Sequence, residues 1–159
     1  VISQAIVAIV FAAALGCGLV AGIFFAFSSF VMAALGRLPA PHGIAAMKAI
    51  NVTVINPGFM LTFFGSGVLC LAAVACVALA WPGASGASVV VAAALYLGGS
   101  IGVTILGNVP LNNALAEAAV DTPEAAALWS RYLVEWTRWN TVRTVASAAA
   151  AALFTAALI

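Results

Sequence analysis

The chain has 159 residues, of which 66% are hydrophobic and only 6% charged, with a formal net charge of +1 and a mean hydropathy of +1.25. A soluble domain is about one quarter charged, so this composition excludes a water-facing fold and describes an integral membrane protein. The small net charge and the lack of a basic cluster also exclude a phosphate track, and with it nucleic acid as a partner.

Four apolar stretches, roughly residues 2–35, 55–81, 88–106 and 139–159, reach the length of about 20 residues that a spanning helix needs. None alternates apolar with polar residues as a barrel strand would. The expected fold is a single all-α transmembrane domain over residues 1–159, an integral membrane four-helix bundle with cytoplasmic amphipathic helical segments. The first stretch is too long, and too poor in basic residues at its start, for a removable leader, so it reads as a permanent span. All five basic residues, Arg37, Lys48, Arg131, Arg138 and Arg143, fall in or beside the first and third connections, and the second, residues 82–87, has none. The bias predicts a multi-pass protein with the first and third connections cytoplasmic and both termini outside.

In the first span Ala14, Gly18, Gly22 and Ala26 recur every four residues, a groove against which another helix can pack closely. Phe24, Phe25, Phe27 and Phe30 then crowd its cytoplasmic half around Ser28 and Ser29; lipid or core contact is the ordinary reading, an aromatic substrate pocket the alternative. Cys17, Cys70 and Cys76 lie in apolar sequence without a C-x-x-C pair and read as small buried residues. After Pro39 and Pro41, Ile44, Met47 and Ile50 recur every three residues, predicting a short surface helix with Lys48 on its wet side. It leads to Asn51 and the turn signal Asn56-Pro57-Gly58, where Pro57 favours a helix start or kink.

The second span carries Thr62, Ser66, Gly65 and Gly67, and its exit at Trp81-Pro82-Gly83 reads as an interfacial aromatic and a tight turn. In the third, Ser100, Thr104, Asn108 and Asn112 form a polar stripe that Pro110 interrupts, predicting a kink or helix end whose freed carbonyls would need donors, with Arg143 a candidate. Asp121-Thr122-Pro123-Glu124 is a strong new helix start. From there about 35 uninterrupted helical residues would extend some 50 Å, more than one bilayer core, so the first part is expected outside it. One face of this helix carries Trp129, Tyr132, Trp136, Asn140, Arg143 and Ser147 at steps of three and four. Arg131, Glu135 and Arg138 lie roughly opposite, as a solvated ion-paired face. The run from Pro41 to Asn51 loosely echoes that from Pro123 to Asn140; a true duplication would set Asn51 opposite Asn140.

The polar residues of interest gather near one membrane boundary: His42, Asn51, Asn56, Asn108, Asn112, Asn113, Asn140 and Arg143, with Tyr132, Trp136 and Trp139 as aromatic lining. Singly, each has a structural reading, as a helix cap, an interhelical hydrogen bond or a snorkelling arginine. Together, amides and one guanidinium beside aromatics make a cradle for a planar aromatic ligand with carbonyl or phenolate oxygens. One histidine, no intramembrane carboxylate and no thiolate pair make a poor metal shell, so neither a metal nor a resident cofactor is expected.

At Asn108-Val-Pro-Leu-Asn-Asn113 and Trp136-x-x-Trp139-Asn140-x-x-Arg143, with Asn51 and Asn56-Pro57 upstream, the sequence resembles the anthrone-oxygenase-like family of small four-helix membrane proteins. The resemblance spans nearly the whole chain. It implies cofactor-independent oxidation of an anthrone to an anthraquinone, with a planar phenolic, anthrone or quinol-type substrate. On that footing Arg143, Asn140 and Asn108 or Asn112 would stabilise an oxyanion, and Trp136 and Trp139 would stack the rings. Tyr132, Asn51, Asn56 and Asn113 would line the substrate, and His42 or a water would take the proton. The competing expectation is a non-catalytic subunit of a larger membrane complex, or a binder of quinone or lipid, docking through its small-residue grooves. Transport ranks third, since no acidic residue within the spans offers ion coupling. Membrane lipid, a hydrophobic aromatic molecule or quinone, and further copies of the chain are the partners this composition admits.

Overall fold

The computed structural model describes residues 4–80 and 84–159, so the predicted turn at Trp81-Pro82-Gly83 lies outside the described residues. The first rod is α1 (Gln4–Ala26), a π-helical segment (Phe27–Val31) and α2 (Met32–Leu35), joined end to end. A short turn leads to α3 (Ala40–Thr53), which begins on Pro39 with Pro41 in its first turn, where a missing backbone N–H costs nothing. Next come α4 (Pro57–Ala80) and α5 (Ala84–Ala94), and α5 passes through π-helical segments at Leu95–Gly102 and Thr104–Asn108 into α6 (Val109–Glu117). The last helix, α7 (Pro123–Ala157), runs for 35 residues as its length in sequence suggested. Thr122 caps it, its hydroxyl accepting from the Ala125 N–H at 3.2 Å. Asn56 caps α4 in the same way, accepting from the Phe59 N–H at 3.0 Å.

The long helices close into a ring, α1 on α4, α4 on α5, α5 on α7 and α7 on α1. Small residues set the spacing. Gly16 receives Ser66 of α4, Gly18 lies against Ala151, and Gly99 accepts Ala146 so closely that an added Cβ would sit 2.5 Å from that methyl. Large apolar side chains such as Phe11, Leu61, Leu71 and Leu106 point outward, the pattern of a surface solvated by lipid rather than water. Three helices, Gln4–Leu35, Pro57–Leu79 and Ser85–Glu117, are long and apolar enough to cross a membrane. The fourth predicted span lies in α7, where Asn140, Arg143 and Ser147 face inward and dilute the apolar character of that stretch.

At Pro110 the helix neither ends nor frees a turn of carbonyls. Proline cannot donate to the preceding turn, and the chain meets this by widening: the Val109 N–H bonds the Thr104 carbonyl, five residues back. π-Helical distortions occur frequently at functional sites, and here Thr104, which opens the second segment, bonds the buried Arg143. Two cores result. One fills the ring of helices around Val10, Cys17, Cys70, Ala92, Tyr96 and Phe154. The other lies at one end, where Ile44 and Met47 of α3 and Leu115 of α6 pack on Trp129, Tyr132 and Trp136 of α7.

Candidate functional site

The inward stripe of α7 stands at the junction of the two cores. Helical periodicity alone places Trp129, Tyr132, Trp136, Asn140, Arg143 and Ser147 on one face, and all six are buried. The aromatic part forms a column: Trp129 stacks on Tyr132 at 5.6 Å between centroids, and Tyr132 on Trp136 at 5.9 Å. Gly43 lets α3 approach, because a Cβ there would lie 2.8 Å from the Trp129 ring. Asn112 of α6 locks the column, its Oδ1 accepting from the Tyr132 hydroxyl at 2.7 Å and from Trp136 Nε1 at 2.8 Å. Asn51 of α3 also stands at the Tyr132 hydroxyl. The hydrogen bonds of Asn140 go to other groups.

Asn140 instead ties α7 to the first rod. Its Nδ2 donates to the Phe24 carbonyl at 2.6 Å and to Ser28 Oγ at 2.7 Å. That fixes the amide so that Oδ1 accepts from Arg143 Nη2 at 2.7 Å. The other terminal nitrogen, Nη1, donates to Thr104 Oγ1 at 3.1 Å. The guanidinium carbon lies 4.1 Å from the centroid of the Phe24 ring and 5.2 Å from that of Trp136, within cation–π range. Arg143 is 5% exposed, and its Nε has no hydrogen-bond partner. The one ion pair among the described residues joins Arg131 to Glu135 on the opposite, exposed face of α7. Arg143 is thus a buried cation held by neutral groups alone.

This guanidinium forms part of the wall of a cavity of about 270 Å³. Phe24, Phe27, Phe59, Phe63 and Trp136 supply its aromatic surface, and Asn51, Thr104, Asn112 and Arg143 its polar groups. Flat walls with a few convergent polar atoms suit a planar aromatic ligand with an oxygen at one edge. No carboxylate and no imidazole lines it.

The structure brings together Arg143, Asn140, Asn112, Asn51, Trp136 and Tyr132, although Tyr132 and Asn140 act from behind the wall. Asn108 is buried beside them, donating through Nδ2 to the Trp136 carbonyl at 3.2 Å while its Oδ1 stays unpartnered. Four expected residues stand apart from the cavity. His42 is exposed in the first turn of α3, about 13 Å along the helix from Asn51 at 1.5 Å per residue. Asn56 is engaged as the α4 cap, and Trp139 is 45% exposed, its ring lying over Gly107. Asn113 is exposed and lines a neighbouring groove. Sequence reasoning gave no role to Phe59 and Phe63, whose only signal was apolar character shared with every lipid-facing neighbour. It also gave no site role to Ser28, one of two adjacent hydroxyls one helical turn past Phe24.

Fold and site together define an all-α membrane protein with a buried cation at the wall of an aromatic cavity. Within that class the anthrone oxygenase family matches residues 59–153, more than half of the chain, and the chain belongs to it. The matched region contains Thr104, Asn108, Asn112, Trp136, Asn140 and Arg143. No curated protein and no solved structure matches the chain.

Proposed function

We propose that this chain is a membrane-embedded, cofactor-independent oxygenase acting on a planar phenolic substrate of the anthrone or quinol type. The observation that carries the reading is Arg143, a buried guanidinium with no carboxylate against it, in the wall of an aromatic cavity. An unpaired charge in low dielectric is costly, and an anionic ligand offsets that cost. Loss of a carbon-bound proton turns an anthrone into a phenolate-like anion, which Arg143 stabilises. The anion reduces dioxygen directly. One oxygen atom becomes the new carbonyl and the other leaves as water, so anthrone and dioxygen give anthraquinone and water with no further reductant. With no base in the wall, the proton passes to water. In this reading α7 crosses the membrane with the other three rods, and α3 and the turn before α7 face the cytoplasm.

The lack of a carboxylate or imidazole in the cavity wall favours one second reading, a non-catalytic binder of quinone or lipid within a larger complex. Oxygen uptake on an anthrone by the purified protein in lipid nanodiscs, with anthraquinone followed by absorbance, separates the two. Arg143→Ala and Asn140→Ala should lose most of the turnover while remaining helical. Full turnover in both variants sinks the oxyanion role of Arg143 and Asn140. No uptake by the wild type, with partner chains co-purifying in fixed ratio, points to the binder.

A further inference from the structure

Beside the cavity, between α3 and α6, lies a groove of about 710 Å³. Cavity and groove share Asn51, Ile55, Val109 and Asn112 as a common wall. Their chemistry differs. The cavity is aromatic with Arg143 in its wall, whereas the groove has no aromatic residue and carries Lys48 and Asn113.

Lys48 is not a free surface ammonium. Its Nζ donates to the Ala118 carbonyl, at the end of α6, at 2.7 Å, which fixes the head at the groove and leaves two of its three donors unused. No carboxylate lies within 4.0 Å of it among the described residues, and no acidic residue lines either compartment. One cation therefore stands in each compartment, with the amides of Asn51 and Asn112 between them and no internal counter-charge for either. A ligand that matched this pattern would be anionic at both ends, with neutral hydrogen-bonding groups at its waist.

We propose that the groove is the second compartment of one binding site and that it receives a carboxylate-bearing arm of the substrate, with Lys48 as its counter-charge and Asn113 as a further donor. The inference rests on the functional reading above, which assigns the ring system to the cavity. It narrows the substrate class to planar phenols that carry an acidic substituent on the edge remote from the oxygen held by Arg143. Lys48 is then a specificity-determining residue that takes no part in the oxidation.

The test compares the binding of two hydroxyanthraquinones, one bearing a carboxylate substituent and one without, by equilibrium dialysis on the protein in zwitterionic nanodiscs. The wild type should bind the carboxylate ligand about 3- to 10-fold more tightly, the range of a partly exposed to partly buried charge pair. Lys48→Gln retains a donor for the Ala118 carbonyl and should abolish the preference while leaving the uncharged ligand's affinity unchanged. Lys48→Arg should keep it and guards against a fold effect. Equal binding of both ligands, or a preference that survives Lys48→Gln, overturns the inference. If both ligands still depend on Arg143 in that case, the functional reading stands without it. A preference that disappears in anionic nanodiscs assigns Lys48 to lipid phosphate and also overturns it. Binding of neither ligand overturns both.

Discussion

Replacing Arg143 by methionine separates what the guanidinium does for the fold from what it does for a ligand. In the folded protein the change removes two charge-assisted hydrogen bonds, to Asn140 Oδ1 at 2.7 Å and Thr104 Oγ1 at 3.1 Å, each worth about 1.5–3 kcal/mol. It also removes the contacts with the Phe24 and Trp136 rings, about 0.5–2 kcal/mol. Against this it relieves the burial of an unpaired charge, a penalty of several kcal/mol. The opposing effects are similar in size, so the melting temperature should move little in either direction. Affinity has no such offset. A phenolate held by the guanidinium loses one charge-assisted contact of about 1.5–3 kcal/mol, a weakening of roughly 10- to 140-fold, while the neutral form of the same ligand keeps its stacking and changes little. The assay is equilibrium dialysis of a hydroxyanthraquinone below and above its own ionisation, wild type against Arg143→Met. Equal losses for the neutral and ionised ligand would refute the reasoning, as would a collapse of the fold.

Asn112 should show two separable roles. Asn112→Ala leaves the Tyr132 hydroxyl and the Trp136 indole N–H without their shared acceptor, at about 1–3 kcal/mol each, and a large drop in thermal midpoint checks it. Asn112→Asp keeps the acceptor and so the fold, yet places a carboxylate in the cavity wall with Arg143 and should weaken binding of ionised phenols; unchanged binding contradicts this. Two glycines should respond differently to alanine. At Gly99 the new methyl meets Ala146 Cβ at 2.5 Å, and alanine has no rotamer to yield, so overpacking by about 1–3 kcal/mol is expected. At Gly107 it meets the root of the indole of half-exposed Trp139 at 2.8 Å, which clears it only by a change of χ1, and a gain in helix propensity of up to about 1 kcal/mol offsets part of that cost. Melts in which Gly107→Ala is the more damaging would count against that account. Thr122→Ala should cost about 0.5–2 kcal/mol through loss of the α7 cap, with ligand affinity unchanged in the same dialysis assay.

The inward face of α7 was legible because a period of three and four in a helix needs no tertiary information, and a guanidinium beside apolar sequence must find partners. Thr122 and Pro123 announced the start of α7 for equally local reasons. Two things were beyond that reach. Polar residues gathered at one boundary look alike whether they line a ligand or cap a helix, so Asn56, His42 and Trp139 were grouped with Asn112 and Asn140 although the structure sets them apart. Apolar residues are ambiguous in the opposite sense, since Phe59 and Phe63 face the cavity while Phe64 is half-exposed at its rim and Leu61 points outward, all with the same chemistry. The π turns before Pro110 were illegible for a third reason. Proline forbids one hydrogen bond without saying whether the chain will break, bend or widen.

The neutral setting of Arg143 bears on how the site would empty. An arginine already paired with an aspartate holds a neutral product about as well as an ionised reactant, because its charge is balanced throughout. Arg143 is balanced only while an anion is present. In the proposed reaction the carbon framework becomes an anion beside Arg143 and ends as a quinone that has lost that charge at the oxidised ring. The attraction between Arg143 and the reactant's ring oxygen is then absent from the complex with the product. Release is favoured by the same buried cation that favoured capture, and turnover needs no moving lid to eject what it has made.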